Sequence, residues 1–330
     1  MGAGMTDTAL HRMIRRQPDE LDRIAGLDLA GPAALLTGAR RVILVGTGTS
    51  QHAAELGAML LAEAGLDARW FPSASWARWT AGPQPGDALV VISHTGETAY
   101  AARARADALA RGVPLVSVTG TGAGWPEAIA TVAPEAAETY TVSYTCALAV
   151  LARLAHHAGA AHGSAADLRQ AAAQVREVLA DPGVAAVAMP ARSLAIIGCG
   201  PWGVTAREAA LKLREGAGML AQGFDTERFL HGFAVPYTAA DGVLLVQPDA
   251  DPDGLTAAVG EAAAQEGIPV AALSVTAGGL PPVLAQIPMT VRLQLLAERF
   301  AALRRRNPDR VITGAWADTG LWQRGGPAAG

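Results

Sequence analysis

The apolar positions of this chain fall in short unbroken runs, and most of these end in a Gly, Thr or Ser turn. Arg41-Val42-Ile43-Leu44-Val45, Ala88-Leu89-Val90-Val91-Ile92 and Val113-Pro114-Leu115-Val116-Ser117-Val118 follow this pattern. Runs without alternation fit strands covered on both faces, as the strands of parallel sheets are. Helical spacing is read from Gln51 to Ala64, from Ala99 to Arg111 and from Cys146 to about Gly159, and Ile129–Val132 reads as a further strand. Four strands alternating with helices predict a doubly wound α/β domain over 31–164. Trp70–Trp79 reads as a connection. Residues 1–30 read as a helical leader in which Pro18 ends one helix or opens another.

The pattern then restarts. Ala165–Ala180 is amphipathic, and with Asp181-Pro182-Gly183 it forms a linker over 165–184. Ser193-Leu194-Ala195-Ile196-Ile197-Gly198-Cys199-Gly200 echoes the run ending in Gly46-Thr47-Gly48. Gly242–Val246 echoes Ala88–Ile92, and Gln265–Val270 echoes Ala110–Leu115. An internal duplication follows, with a second α/β unit over 185–306 and a tail over 307–330. The fold expected is two tandem α/β subdomains, each a flavodoxin-like, doubly wound parallel sheet flanked by helices.

Composition narrows the functions. At 330 residues, 51% hydrophobic and 17% charged, the chain can bury two cores. A net charge of −4 and a pI of about 6.0 offer nothing to nucleic acid or an anionic membrane. No apolar run reaches membrane-spanning length and no signal-peptide core precedes Pro18, so a cytoplasmic protein is expected. Cys146 and Cys199 make no disulfide or metal framework; no metal and no cofactor is expected.

The chemistry concentrates at Ser93-His94-Thr95-Gly96-Glu97-Thr98, between a strand and a helix. That is the carboxyl edge of a parallel sheet, where such folds bind ligands. The helix start offers free N–H groups and a positive dipole end, three hydroxyls add donors, and the loop holds no Lys or Arg. It reads as a neutral cup for a phosphate monoester, or else as a turn capped by Thr98 or Thr95. Thr49 and Ser50 are a second set of hydroxyls, or a cap. Gly46-x-Gly48 lacks the third glycine of a dinucleotide loop, since position 51 is Gln. In the second half the hydroxyl loop is replaced by Gln247-Pro248-Asp249-Ala250-Asp251, which would repel phosphate. Glu208, Lys212 and Glu215 share one helical face, either as a surface salt-bridge ladder or as a base beside a cation.

Taken in order, Gly48-Thr49-Ser50, Ser93–Thr98, Glu208-Ala209-Ala210-Leu211-Lys212-Leu213-Arg214-Glu215 and Phe229-Leu230-His231-Gly232 resemble the sugar isomerase (SIS) family. The likeness is to the isomerase half of glucosamine-6-phosphate synthase and to stand-alone phosphosugar isomerases and deglycases. It implies that Thr49, Ser50, Ser93, His94, Thr95 and Thr98 hold a sugar phosphate. It makes Glu215 the base that moves a proton between C1 and C2, with Lys212 and Glu208 beside it. It makes His231 the group that assists ring opening from the neighbouring subunit of a homodimer. Glu227 is a second carboxylate near it, where relatives carry theirs one place later, at Arg228. His94 stands where relatives often have Gln. No glutaminase domain accompanies these motifs. The tail after Asn307-Pro308-Asp309-Arg310 lacks the Lys of synthases and deglycases; Arg310 and Arg324 are its cations and cannot form an imine. An aminosugar-6-phosphate isomerase/deaminase is expected, with a fructosamine-6-phosphate deglycase or a non-catalytic sugar-phosphate sensor as alternatives.

Overall fold

The computed structural model describes residues 8–248, 251, 253–275 and 279–327. In chain order the helices and strands are α1 (Ala9–Ala25), α2 (Ala30–Thr37), β1 (Arg41–Gly46), α3 (Thr49–Glu63), β2 (Ala68–Pro72), α4 (Ser73–Trp79), β3 (Asp87–Ile92), α5 (Ala99–Ala110), β4 (Leu115–Thr119), β5 (Ala128–Ala130) and α6 (Val142–His157). They continue with α7 (Ala165–Ala180), β6 (Ser193–Gly198), α8 (Pro201–Ala217), β7 (Leu220–Asp225), α9 (Thr226–Arg228), β8 (Gly242–Pro248), α10 (Leu255–Gln265), β9 (Val270–Val275), α11 (Gln286–Leu303) and α12 (Thr319–Trp322).

These elements pack into two compact units that interleave along the chain. The first-sheet unit takes Asp19–Glu135, Val142–Gln170 and the chain from Ile312. The second-sheet unit takes the chain up to Pro18, Ala136–Thr141 and Ala171–Val311. The leader, the linker helix and the tail drawn from the sequence are therefore each shared out between the units.

The first sheet is parallel, in the order β2-β1-β3-β4-β5, with its switch point between β1 and β3. Alternate residues serve opposite faces. Ile43, Val45, Leu89 and Val91 pack on Trp76 of α4 and on Ala101, Ala104 and Ala108 of α5. On the other face Leu44 and Leu151 of α6 close on Gly57 of α3, where an added Cβ would come within 3.0 Å and 2.8 Å of them. The sheet has five strands, not four, because Ala68–Pro72 is an edge strand and not a connection. It has one partner and is only half-buried, so it carries no apolar run, and its proline sits last. Helix α6 begins at Val142, four residues before Cys146. Its hydroxyl-bearing first turn is buried, and the Glu135 carboxylate accepts the Ser143 N–H at 2.8 Å.

Pro18 also departs from expectation, since it lies inside the continuous helix α1. A proline there leaves the carbonyl four residues back without its N–H. That carbonyl, on Ile14, instead accepts from the buried Gln17 side-chain amide at 2.9 Å, and the same amide donates to Gln294 at 2.8 Å.

The second sheet is parallel with the order β7-β6-β8-β9, the same as the first four strands of the other. Leu194, Ile196 and Leu244 face α8 and α11, while Ala195, Ile197 and Val243 face α10 and Phe229. The correspondence reaches single residues. Gly48 and Gly200 hold nearly the same backbone (φ 57, ψ −128 and φ 57, ψ −123) as N-caps of α3 and α8. Asp87 and Asp241, both fully buried, bind the arginine that opens the neighbouring strand (Arg41, or Arg192 just before β6) and the N–H three residues back, on Gln84 and Thr238. Those arginines hold both carboxyls below the usual range. Among the described residues no helix is long and apolar enough to cross a membrane.

Candidate active site

The two hydroxyl loops follow β1 and β3, the strands that flank the switch point of the first sheet. Gly46 brings the end of β1 onto the first turn of α3; a Cβ there would lie 2.3 Å from the Ser50 carbonyl oxygen. Thr49 and Ser50 are the first two helical residues, and the N-cap is Gly48 with no side-chain cap bond. The capping alternative for this pair is thereby excluded. In the second loop the buried Ser93 hydroxyl lies 3.3 Å from that of Thr98, and Thr95 Oγ1 accepts the Glu97 N–H at 3.1 Å. Thr98 is the N-cap of α5 by position, yet its side chain makes no cap bond. Two helix starts thus present N–H groups without a side-chain cap, and Gly96 (φ 72) closes its turn against Ala123.

The His94 ring, in the same loop, is turned into the protein. Both ring nitrogens are shut off from solvent. The reason is packing. The ring lies on Gly120, where a Cβ would approach it to 2.6 Å, and the His94 carbonyl accepts the Gly120 N–H at 2.8 Å. Burial pushes the imidazole below its usual pKa, against the pull of Glu135. With Thr49, Ser50, Thr119, Thr131, Ser143 and Tyr144 it lines a cavity of about 20 Å³, room for one water and not for a sugar. Thr119, Thr131, Ser143 and Tyr144 belong to no motif; a strand at Ile129–Val132 already places Ser143 and Tyr144 at the carboxyl edge of the sheet, while Thr119 and Thr131 were missed.

The second-sheet unit holds Glu208, Lys212 and Glu215 on α8, the helix that packs most heavily on α11 and β7. The Lys212 ammonium lies 2.6 Å from Glu215 Oε2 and 3.6 Å from Glu208 Oε1. Glu208 and Lys212 are 1% exposed and the Glu215 side chain 22%, which excludes the surface ladder. Glu215 is the one member that solvent reaches appreciably. Lys212 is also the only lysine of the chain; the rest of its 26 basic residues are arginine. One residue past Glu215, the Cβ position of Gly216 lies 3.7 Å from Pro308 and Thr139. The Asn307–Val311 stretch is tied there by Thr139 Oγ1 to Pro308 O (2.7 Å) and Val311 N to Glu138 (2.6 Å).

His231 belongs to the same unit, on a kinked turn after α9 where Gly232 takes φ 92. Buried Phe229 anchors the turn on Phe224 and Tyr237 at centroid distances of 5.3 Å and 5.6 Å. The His231 side chain is 77% exposed and its Nε2 lies 4.0 Å from Glu227. At the second switch point Asp249 and Ala250 lie outside the described residues. Asp251 and Asp253 accept N–H groups of α10 from Ala257 (3.0 Å) and Leu255 (3.1 Å), so the chain's own carboxylates occupy that helix start. With burial first, they and Asp225 raise the Cys199 thiol. No group of three or more His, Cys, Asp or Glu suited to a metal occurs among the described residues.

Residues 35–156 match the family model described as the SIS domain. Among curated proteins the chain is 27% identical over 309 residues to a glutamine–fructose-6-phosphate aminotransferase (isomerizing) of Pyrococcus horikoshii. That match covers 84% of this chain and 51% of the other, so the chain spans about half the length of the curated relative it matches. Similar solved structures include the C-terminal domain of glucosamine-fructose-6-phosphate aminotransferase from Francisella tularensis, at TM-score 0.79 and 17% identity, covering 92% of this chain and 98% of that one. Tagatose-6-phosphate ketose/aldose isomerase from Escherichia coli gives TM-score 0.77 and 20% identity, covering 96% and 99%. Glucosamine-6-phosphate deaminase from Thermotoga maritima gives 0.76 and 17%, covering 94% and 99%. At these identities the structures speak for the fold alone. Residues 35–156, which carry the first sheet and both hydroxyl loops, match the SIS domain, the family that the sequence resembles.

Proposed function

We propose that the chain is a cytoplasmic sugar-phosphate isomerase that acts on an aminosugar 6-phosphate and releases its amine. The observation that carries this reading is the buried triad on α8. A chain that otherwise uses arginine keeps its one lysine between two carboxylates, of which only Glu215 is open to solvent. A compact ammonium suits that position better than a planar guanidinium, and it can offset negative charge that develops nearby. Glu215 takes the C2 proton of the open-chain sugar and returns it at C1, turning C1 from aldehyde to alcohol and C2 from amine to imine. Water adds to the imine carbon and ammonia leaves. Ser50, Ser93, Thr95 and Thr98, with Thr49 and the uncapped helix starts, take the phosphate, and His94 braces their loop from beneath. The names of the similar proteins, among them a ketose/aldose isomerase and an aminosugar-phosphate deaminase, agree with this substrate class.

His231 acts in trans in this reading, as the ring-opening group for the site of a partner subunit in a homodimer. Its exposure and its anchored, kinked turn suit a side chain offered to another molecule. Co-expression of Glu215→Gln and His231→Ala chains, each inactive alone, tests it. Random pairing makes about half the dimers mixed, and each mixed dimer has one intact site, so roughly a quarter of wild-type activity returns. A verified mixed dimer without activity overturns the shared site.

Mass-spectrometric turnover of hexosamine, hexose and fructosamine 6-phosphates tests the function itself. Ammonia and a ketose 6-phosphate from the hexosamine 6-phosphate are expected. An amino acid released from a fructosamine 6-phosphate would make the chain a deglycase instead. A chain that binds without turnover would instead be a sensor. Thermal stabilisation by these compounds with no product would establish it.

A further inference from the structure

The tail from Ile312 belongs to the first-sheet unit, and its Gly325 and Gly326 lie against the helix that the phosphate loop opens. Gly325 has φ 82, and a Cβ on it would lie 2.2 Å from Tyr100 Cζ and 2.3 Å from its hydroxyl oxygen. The Cβ position of Gly326 lies 3.6 Å from Ala99 Cβ. Ala99 and Tyr100 are the first two residues of α5, directly after Thr98. The segment holds its own shape: Asp318 accepts the Gly320 N–H at 2.9 Å, Trp322 Nε1 donates to the Trp316 carbonyl, and the Gly326 N–H to that of Gln323 at 3.3 Å.

Arg324 immediately precedes this contact. It is exposed, and it makes no hydrogen bond or ion pair within the described residues. Two peptide units separate it from Gly326, at most about 7 Å of chain. The start of α5 therefore lies within reach of its side chain. The two hydroxyl loops contain no cation of their own, yet a phosphate monoester is a dianion near neutral pH. A guanidinium is the group whose planar fork matches phosphate oxygens.

We propose that Arg324 is the cation of the phosphate cup, carried to it by a C-terminal strap whose seat is the Gly325–Tyr100 contact. The proposal rests on the cup reading above and adds to it a specificity-determining residue outside both loops. It also accounts for glycine at position 325: the positive φ strains any other residue, and a Cβ there would have to displace the Tyr100 ring.

Calorimetric titration of the full chain with fructose 6-phosphate, at low and high salt, tests it. Arg324→Gln weakens binding roughly 10- to 100-fold, the range of one charge-assisted bond, and flattens the salt dependence. Arg324→Lys keeps part of the affinity. Gly325→Ala, which leaves the arginine in place but unseats the strap, loses about as much as Arg324→Gln. Ser93→Ala with Thr98→Val reports on the cup alone and abolishes most binding. If that pair loses binding while Arg324→Gln and Gly325→Ala bind like wild type, the strap proposal is overturned and the cup stands. If the Ser93/Thr98 pair binds like wild type, the cup reading fails and the proposal fails with it. Arg324 is exposed, so its substitution leaves folding unperturbed, and it decides the matter should Gly325→Ala disturb the tail.

Discussion

Glu215→Gln abolishes turnover of an aminosugar 6-phosphate while leaving its binding close to that of the wild type. The amide keeps the size of the carboxylate and still offers Lys212 an oxygen in place of the one now 2.6 Å away. What it lacks is the capacity to accept a proton. A positioned general base contributes about 10²–10⁴ in rate, and the loss falls in kcat and not in KM, because phosphate affinity resides in other residues. Deuterium exchange at C2 of the bound substrate is the direct measurement, since it reads proton abstraction before the amine departs. A Glu215→Gln protein that exchanges as fast as wild type moves the base elsewhere, and Glu208 is then the carboxylate left on the same lysine.

The second large effect is on stability. Lys212→Met removes the cation that two carboxylates face, one of them 1% exposed, from the interior of the second-sheet unit. Breaking a buried ion pair from one side costs about 3–5 kcal/mol, because the remaining charge keeps its desolvation penalty and loses its partner. Urea denaturation reads this as a lower midpoint at unchanged slope. Lys212→Arg keeps the charge but forces a larger planar group into filled space, so a smaller loss of about 1–3 kcal/mol follows. A Lys212→Met chain within about 1 kcal/mol of wild type would mean that the triad is solvated, and the argument for a tuned base would fall with it.

The architecture was legible where burial on both faces had written it into the chain. The runs at β1, β3, β4, β6 and β8 are continuous because helices cover each side of the sheets, and that environment selects uniformly apolar residues. Strand β2 was missed for the converse reason. An edge strand needs one partner and half a cover, so Ala68–Pro72 carries no periodic signal. Pro18 misled because helix punctuation is local, whereas the repair is a side chain: Gln17 supplies the hydrogen bond that the proline cannot. The start of α6 was hidden because Ser143 and Thr145 resemble a loop until packing buries them.

The sequence by itself determined the two parallel α/β units, the hydroxyl loops that follow β1 and β3, and the helical spacing that sets Lys212 between two glutamates. Each of these depends on residues near in the chain, where the spacing of side chains follows from backbone geometry alone. Only the tertiary structure decided which of those residues are open and which are shut. Packing on Gly120 encloses the His94 ring, burial among α8, α11 and β7 turns a surface-like charge pattern into an interior triad, and Gly325 seats the tail on Tyr100. Exposure depends on what the rest of the chain brings alongside, and these contacts join residues that no local pattern relates.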